Sequence, residues 1–214
     1  MAVEISQIVE HLQHAGIHYE LHEITKEPVI FFQTNNYVNV QGTNVLMVVI
    51  QVTERGEYLK FFAPSAYYIP EDETAYAVLK TFAIIAWRVK LVDFEVDPTD
   101  GEVRPTIDFP VEDAKVTQEQ VVRCCKTLSR VVDLMDKYIR HAILYQTVHF
   151  ALLQDNVHEL AQSIPEEELP TEEELIAKLR QIQRNQNPTP PTSEPAPTEE
   201  ESSEDSSSTD EDWI

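Results

Sequence analysis

Residues 90–111 carry the pattern that decides the fold, and they read KLVDFEVDPTDGEVRPTIDFPV. In each arm of this stretch apolar residues alternate with polar or acidic ones. The alternating apolar positions are Val92, Phe94, Val96, Ile107 and Phe109. A period of two with one polar face is typical of half-buried antiparallel strands. Between the arms, residues 97–101 (DPTDG) favour a tight turn. The stretch is therefore predicted to form a β-hairpin.

Pro105 lies in the middle of the second arm of this hairpin. Proline has no backbone N–H, so it cannot donate to a ladder of strand hydrogen bonds. We therefore expect the second arm to be an edge strand or to carry a bulge at Pro105. The other expected edge of the sheet is the first strand, residues 17–24.

A long amphipathic helix is predicted to follow the hairpin. Thr117 and Gln120 have the spacing of a capping box. Apolar residues then recur every three or four positions, which places them on one helix face. They are Val121, Cys125, Leu128, Val132, Met135, Ile139 and Ala142. A basic stripe lies away from this face and consists of Arg123, Lys126, Arg130, Lys137 and Arg140. Weaker periodicity extends to Phe150, which predicts a helix about 50 Å long.

The order of these motifs resembles the bacterial YbjN family. The resemblance lies in an acidic-apolar strand, the turn DPTDGEV, a second strand ending DFPVED, and then a capped amphipathic helix. It extends over residues 1–145. It implies the fold of type III secretion chaperones, a class whose members bind other polypeptides, often as dimers. The shared motifs consist of turn and cap residues, so the resemblance implies no catalytic residue.

Periodicity elsewhere predicts further elements. Helices are expected at 2–14 and from 70 to about 87, and strands at 17–24, 29–33, 45–52 and 58–63. The resulting order, α-β-β-β-β-α-β-β-α, predicts an α+β fold in which helices flank an antiparallel sheet.

The composition of the chain divides it into three predicted regions. The α+β domain spans residues 1–154. A helical extension spans 155–184 and includes a second capping box at Thr171 and Glu174. A disordered acidic tail rich in Pro, Ser and Glu spans 185–214.

The charge of the chain excludes several classes of partner. The net charge is −22, and the nine acidic residues of 185–214 leave −13 on residues 1–184. Such a surface repels phosphate backbones and anionic lipids, so we expect neither nucleic-acid nor membrane-surface binding. The densest apolar run, 81–92, is interrupted by Arg88 and Lys90 and is too short to span a bilayer. With no signal peptide and only two cysteines, the chain is expected to be a soluble cytoplasmic protein.

No sequence motif predicts a cofactor or a metal. The four glycines occur singly, and none forms a phosphate-binding loop. His11, His14, His18 and His22 do not complete a known ligand spacing. The turn at 97–101 is interpreted as ordinary turn chemistry, with calcium binding as the lesser alternative.

The two cysteines and the basic stripe each have more than one interpretation. Cys125 is expected to behave as a small buried hydrophobe, whereas Cys124, beside Arg123 and Lys126, would have a lowered pKa and a redox or catalytic role if it were exposed. The basic stripe is expected to be a solvated face with ion pairs four residues apart. The alternative is a dock for an acidic segment, such as the chain's own tail.

The expected function is protein binding without catalysis. The main hypothesis is a chaperone-like adaptor that binds polypeptide clients, with a homodimer as a further expectation. The candidate binding residues are Tyr138, Tyr145, Phe150, Trp213 and Ile214, because the long helix exceeds the sheet and because a Trp among acids resembles a docking motif. The alternative is a regulator of signalling or transcription that acts through protein contacts. An enzyme would need a convergent polar cluster in a pocket, which the sequence does not reveal.

Overall fold

The structure, a computed structural model, describes residues 2–70, 75–112, 114–153, 173, 176–177 and 180–182. The helices are α1 (Ile5–His14), α2 (Ala75–Arg88) and α3 (Gln118–Tyr145). The strands are β1 (Glu20–Leu21), β2 (Pro28–Gln33), β3 (Val45–Thr53), β4 (Tyr58–Phe62), β5 (Tyr67–Tyr68), β6 (Asp93–Val96) and β7 (Glu102–Pro110). Short 3-10 turns occur at Glu54–Gly56 and Phe150–Leu153.

The fold is α+β, as predicted, with one antiparallel sheet of seven strands and helices packed against it. The strands follow the order β1-β2-β3-β4-β7, while β5 and β6 also pair with β7. Val103 of β7 pairs with both Tyr67 of β5 and Val96 of β6, so these two strands lie on opposite sides of β7. The β4 and β5 strands lie on the same side.

The two faces of the sheet have different roles. Residues that pair across strands share a face, and the row Ile50, Phe61 and Ile107 is at most 1 % exposed within the core. The alternate row contains Lys60, which forms ion pairs with Glu95 at 2.6 Å and with Asp108 at 4.0 Å. The period-two pattern of the hairpin arms thus separates a core face from a charged face.

Pro105 lies in an interior strand, and its one-to-one register with β6 leaves no bulge there, so the expectation of an edge strand or a bulge at Pro105 is wrong. Pairing between β4 and β7 ends at Phe62 and Thr106, and the carbonyl of Pro105 accepts the next N–H, from Ala63, at 3.0 Å. Because Pro105 lies just past the end of the pairing with β4, its missing N–H leaves no gap in the β4–β7 hydrogen-bond ladder. The edge strand on this side of the sheet is β6.

The opposite edge is β1, as expected, but this strand is shorter than predicted. Only Glu20 and Leu21 pair with β2, instead of the whole of 17–24. A turn begins immediately afterwards, in which the N–H of His22 donates to the carbonyl of Glu27 at 2.9 Å. This turn diverts the chain before a third pair can form.

The turn between β3 and β4 is held against the N-terminal segment. Its Gly56 has φ +92°, and its carbonyl accepts the N–H of Val3 at 2.8 Å. A Cβ at Gly56 would lie 2.5 Å from the carbonyl oxygen of Val3. Glycine is required here both by the backbone conformation and by this close approach.

The α3 helix begins as predicted but ends earlier. The Thr117 hydroxyl accepts the N–H of Gln120 in the expected capping box. The predicted apolar stripe is buried along its length except for Met135, which is partly buried. The helix ends at Tyr145 because Gln146 adopts a left-handed conformation with φ 60°. The predicted extension to Phe150 is therefore wrong, and the chain continues as a separate 3-10 turn.

Polar residues of α3 anchor the helix to the rest of the fold. One Asp133 carboxylate oxygen accepts the backbone N–H groups of Asn35, Asn36 and Tyr37 at 2.7–3.0 Å. Asp136 and Arg140 form the expected ion pair, with Oδ2 and Nε 2.8 Å apart. Both side chains are buried, so Arg140 does not belong to a solvated basic stripe. In the rest of that stripe Arg123, Lys126 and Arg130 are exposed, as expected, and Lys137 is half-buried.

A few described residues near the C-terminus contact the α+β domain. Ile182 is 5 % exposed and belongs to the core cluster. The Nε of Arg180 donates to the carbonyl of Val40 at 3.1 Å. The predicted capping box at Thr171 and Glu174 and the predicted tail over 185–214 lie outside the described residues. None of the described helices has the length and apolar character needed to cross a membrane.

Candidate protein-binding surface

The outward side of α2 carries two large exposed aromatic residues. Tyr76 is 73 % exposed and Trp87 is 89 % exposed. Together with Lys80 and Ala83 they follow the spacing of four, three and four that aligns residues along one helix face. The inward side of α2 contains Val78, Phe82 and Ile85, all at most 4 % exposed. Leu79 lies at the border of this buried stripe and is 43 % exposed.

The 3-10 turn after α3 widens this apolar face. A groove of about 340 Å³ lies between α2 and the turn. It is lined by Lys80, Ala83, Ile84, Trp87, Arg88, Leu152 and Leu153. Leu153 is 58 % exposed, whereas Leu152 is buried and fastens the turn to the core. We call Tyr76 together with these lining residues the Trp87 surface.

His149 sets the position of the turn. Its imidazole is buried, and Nδ1 accepts the N–H of Ala151 at 3.1 Å. The ring also contacts three aromatic neighbours, with centroids 5.5 Å from Tyr138, 4.7 Å from His141 and 4.7 Å from Phe150. This aromatic cluster holds the chain against the end of α3 after the helix stops.

The aromatic cluster brings together three of the predicted binding residues. Phe150 is 55 % exposed and Tyr145 is 49 % exposed, with its ring 4.8 Å from His141. Tyr138 is only 1 % exposed, so it is a core residue and does not offer the accessible surface that was expected. Burial raises the pKa of the Tyr138 hydroxyl to about 12, against the opposing influence of Arg88. Trp213 and Ile214 lie outside the described residues.

The charge of the Trp87 surface differs from that of the whole chain. No acidic residue occurs between Ala75 and Lys90 or between Phe150 and Leu153, whereas Lys80, Arg88 and Lys90 occur there. Lys80 and Arg88 line the groove itself. Lys80 also lies 5.8 Å from the ring centroid of Tyr76, within cation–π range. The surface is therefore apolar and cationic on a chain of net charge −22.

The carboxylates of the β6–β7 turn approach each other, but they have partners within the protein. Asp97, Asp100 and Glu102 place ligand oxygens within 4.8 Å of one another. Glu102 accepts N–H groups of Ser65 and Arg104. Asp97 accepts from Thr99, and Asp100 accepts the N–H of Glu102. These contacts are the turn chemistry expected from the sequence.

The histidines near the N-terminus are not part of such a group within the described residues. His11 Nε2 lies 3.1 Å from the carbonyl of Val116, where it joins α1 to the segment before α3. His22 Nδ1 contacts Thr25 within the turn after β1. These two side chains have structural partners.

Neither cysteine has the environment of a reactive thiol. Cys124 and Cys125 are free and buried. Burial raises the pKa of Cys124 to about 11, and Arg123 opposes this only partly. Burial likewise raises the pKa of Cys125 to about 12. The alternative of a lowered pKa at Cys124 is therefore wrong, because its side chain packs into the core instead of reaching solvent beside Arg123 and Lys126.

The signal that could have identified the Trp87 surface was present in the sequence. Tyr76, Lys80, Ala83 and Trp87 form a second stripe on a helix whose buried stripe is already complete. A helix that is apolar on two sides contacts either two layers of its own protein or one layer and a partner. Only the placement of α2 at the sheet margin, over β6, showed that the second stripe is uncovered by the described residues.

Comparison with known proteins gives limited information. No family model matches the chain, and none of the curated proteins matches it. Among solved structures, the chain is similar to YbjN from E. coli, for which a role as a transcription regulator has been suggested. The two share 13 % identity with a TM-score of 0.48, over 70 % of this chain and 98 % of YbjN.

Proposed function

We propose that the protein is a non-enzymatic adaptor, chaperone-like in action, that binds acidic polypeptide segments carrying an aromatic or apolar anchor. The observation that carries this proposal is the 89 % exposure of Trp87 beside the Leu153 groove. Tryptophan is enriched among the residues that contribute most to binding energy at protein interfaces. Large exposed apolar patches on folded proteins commonly mark such interfaces.

The charge of the surface selects the chemistry of the client. Lys80 and Arg88 border the groove, so an acidic segment gains from electrostatic complementarity and a basic one is repelled. An apolar anchor fills the space between Trp87 and Leu153. The groove is partly formed before binding, so binding requires less ordering of the protein. The expected setting is the cytoplasm, since both thiols of the chain are free.

Binding of defined peptides tests this chemistry. Three short synthetic peptides are compared by fluorescence anisotropy with the full-length chain: an acidic peptide with one Trp, the same peptide with Lys in place of the acids, and the acidic peptide with Ser in place of Trp. We expect binding of the first peptide only, and weaker binding at high salt because exposed charges are screened. Equal binding of all three peptides, or of none, contradicts the proposal.

Variants locate the binding to the surface. Trp87→Ala and Lys80→Glu should each weaken binding of the acidic Trp peptide at least tenfold. Ile24→Ala is the matched control, because Ile24 is 86 % exposed but follows β1 at the opposite edge of the sheet. A photo-crosslinking amino acid at position 83, which lines the groove beside Trp87, then identifies the client in cells, with the same group at position 24 as control. A crosslink only between two copies of the chain at position 83 would instead indicate a homodimer and overturn the proposed client.

A further inference from the structure

We infer that residues 210–214 of this chain, DEDWI, occupy the Trp87 surface and compete there with the client. This inference rests on the proposed function, because it needs the same surface to accept an acidic segment with an aromatic anchor. Residues 210–214 lie outside the described residues, but their charge and their tryptophan are known from the sequence.

The charges of residues 185–214 and of the groove are complementary. Residues 185–214 contain nine acids and no Lys or Arg. The groove is lined by two cations, Lys80 and Arg88, and by no acid. Opposite charges attract over roughly a Debye length, about 8 Å at physiological ionic strength. A second copy of this chain, with net charge −22, is repelled as a whole, so the acidic end is the favoured occupant.

Trp213 provides an apolar anchor for the groove. The chain has two tryptophans, Trp87 and Trp213, and Trp213 is preceded by three acids. An indole that enters the groove can pack against Trp87, Ala83 and Leu153, while acids 210–212 lie near Lys80 and Arg88. Contact between two aromatic rings stabilises a complex beyond the effect of the apolar area that the rings bury.

The length of chain between the core and Trp213 permits this docking. Ile182 is packed in the core, and 30 residues lie between it and Trp213. A chain of this length reaches up to about 100 Å at roughly 3.3 Å per residue, which exceeds the width of a small domain. Linking the docking segment to the domain in one chain raises its effective concentration at the surface, to the millimolar range for short linkers. Even a weak contact is then occupied for much of the time, and a client must displace it.

The two tryptophans provide a direct test by NMR in the full-length chain. Each gives one indole N–H signal. We expect the Trp213 signal to differ from that of the free synthetic peptide 204–214, and to move to the free position in Lys80→Glu and in Trp87→Ala. Ile24→Ala should leave it in place. A Trp213 signal at the free position in the wild-type chain overturns the inference, and a shift that disappears on dilution overturns intramolecular docking.

A second measurement separates failure of this inference from failure of the proposed function. The probe is the synthetic peptide 204–214, titrated into the wild-type chain and into full-length Trp213→Ser. The inference predicts at least threefold tighter binding to Trp213→Ser, because the internal competitor is gone. Equal binding to both overturns the inference and leaves the proposed function standing. Absence of binding to both overturns the two together.

Discussion

The hydroxyl of Tyr67 donates a hydrogen bond to Oδ1 of Asp136 at 3.1 Å, and neither side chain reaches solvent. This bond joins the short strand β5 to the middle of α3. Burial raises the pKa of Asp136 to about 7, although Arg140 and the Tyr67 hydroxyl both act to lower it. A carboxyl group that titrates inside the core makes the stability of this fold depend on pH.

Asp136 should therefore destabilise the protein as the pH rises towards neutrality. The folded state holds the proton more tightly than the unfolded state, so the stabilisation from this proton is present at low pH and is lost as the pH rises through about 7. The difference in unfolding free energy between wild type and Asp136→Asn should fall by about 1.4 kcal/mol per pH unit at most between pH ~5 and pH ~7. Urea denaturation across this range measures it. If the difference in unfolding free energy between wild type and Asp136→Asn does not change with pH, Asp136 does not titrate in this range. The same conclusion follows if the exposed control Asp93→Asn shows the same pH dependence.

Asp133 should determine the stability of the loop before β3. Its carboxylate accepts three consecutive backbone N–H groups, of Asn35, Asn36 and Tyr37. Asp133→Ala leaves them without this acceptor and should cost about 1–3 kcal/mol, whereas Asp133→Asn keeps an acceptor oxygen and should cost less. Amide hydrogen exchange should accelerate at residues 35–37 in Asp133→Ala. Unchanged exchange there would contradict the anchoring role.

Gly56→Ala should destabilise the protein, although no sequence pattern shows that glycine is required at this position. The φ of +92° disfavours an L-residue by about 1–2 kcal/mol, and the added Cβ would lie 2.5 Å from the Val3 carbonyl. Thermal unfolding of Gly56→Ala measures the combined cost. Gly16→Ala is the matched control, because Gly16 also has positive φ but nothing lies within 4 Å of its Cβ position. Equal losses in the two variants would mean that the contact with Val3 adds nothing.

Phe82 and Trp87 should show opposite behaviour although they are on the same helix. Phe82 packs between Tyr67 and Phe94, with ring centroids 5.6 and 4.7 Å away. Phe82→Ala should cost about 3–5 kcal/mol of stability. Trp87→Ala should change stability by less than about 0.5 kcal/mol, as expected of a surface substitution. A large loss in Trp87→Ala that persists when Trp213→Ser is also present would mean that Trp87 packs against the folded domain.

The thiols should be unreactive in the folded state. Burial raises the pKa of both Cys124 and Cys125, so little thiolate forms at pH 8. A chromogenic disulfide reagent should modify neither thiol in the native chain and two after denaturation in guanidinium. Rapid modification of one thiol in the native chain would restore the possibility of a redox role for Cys124.

Local patterns predicted most of the elements. The hairpin of β6 and β7, the Thr117 cap and the buried stripe of α3 agree with the structure, because each depends on residues close in sequence. The strand at 17–24 and the end of α3 were predicted too long. Their ends depend on one turn at His22 and one left-handed residue at Gln146, and neither has a periodic signal.

The candidate site was less predictable for a similar reason. Tyr145 and Phe150 are exposed, but Tyr138 is buried, because the chain folds back after Gln146 and places His149 and the following turn against α3. Trp87 was not identified as a binding residue, since helical periodicity alone does not show whether another element covers the outward stripe of α2.

The sequence by itself determined most of the secondary structure, the α+β class and the acidic character of the chain, since turn chemistry, capping and periodicity act over a few residues. Only the tertiary structure decided that Pro105 lies in an interior strand, that Arg140 and Cys124 are buried, and that Trp87 is exposed beside two cations. Each of these depends on which element covers which face. Which element covers a given face depends on contacts between residues far apart in the chain. A local sequence pattern carries no information about the energies of those contacts.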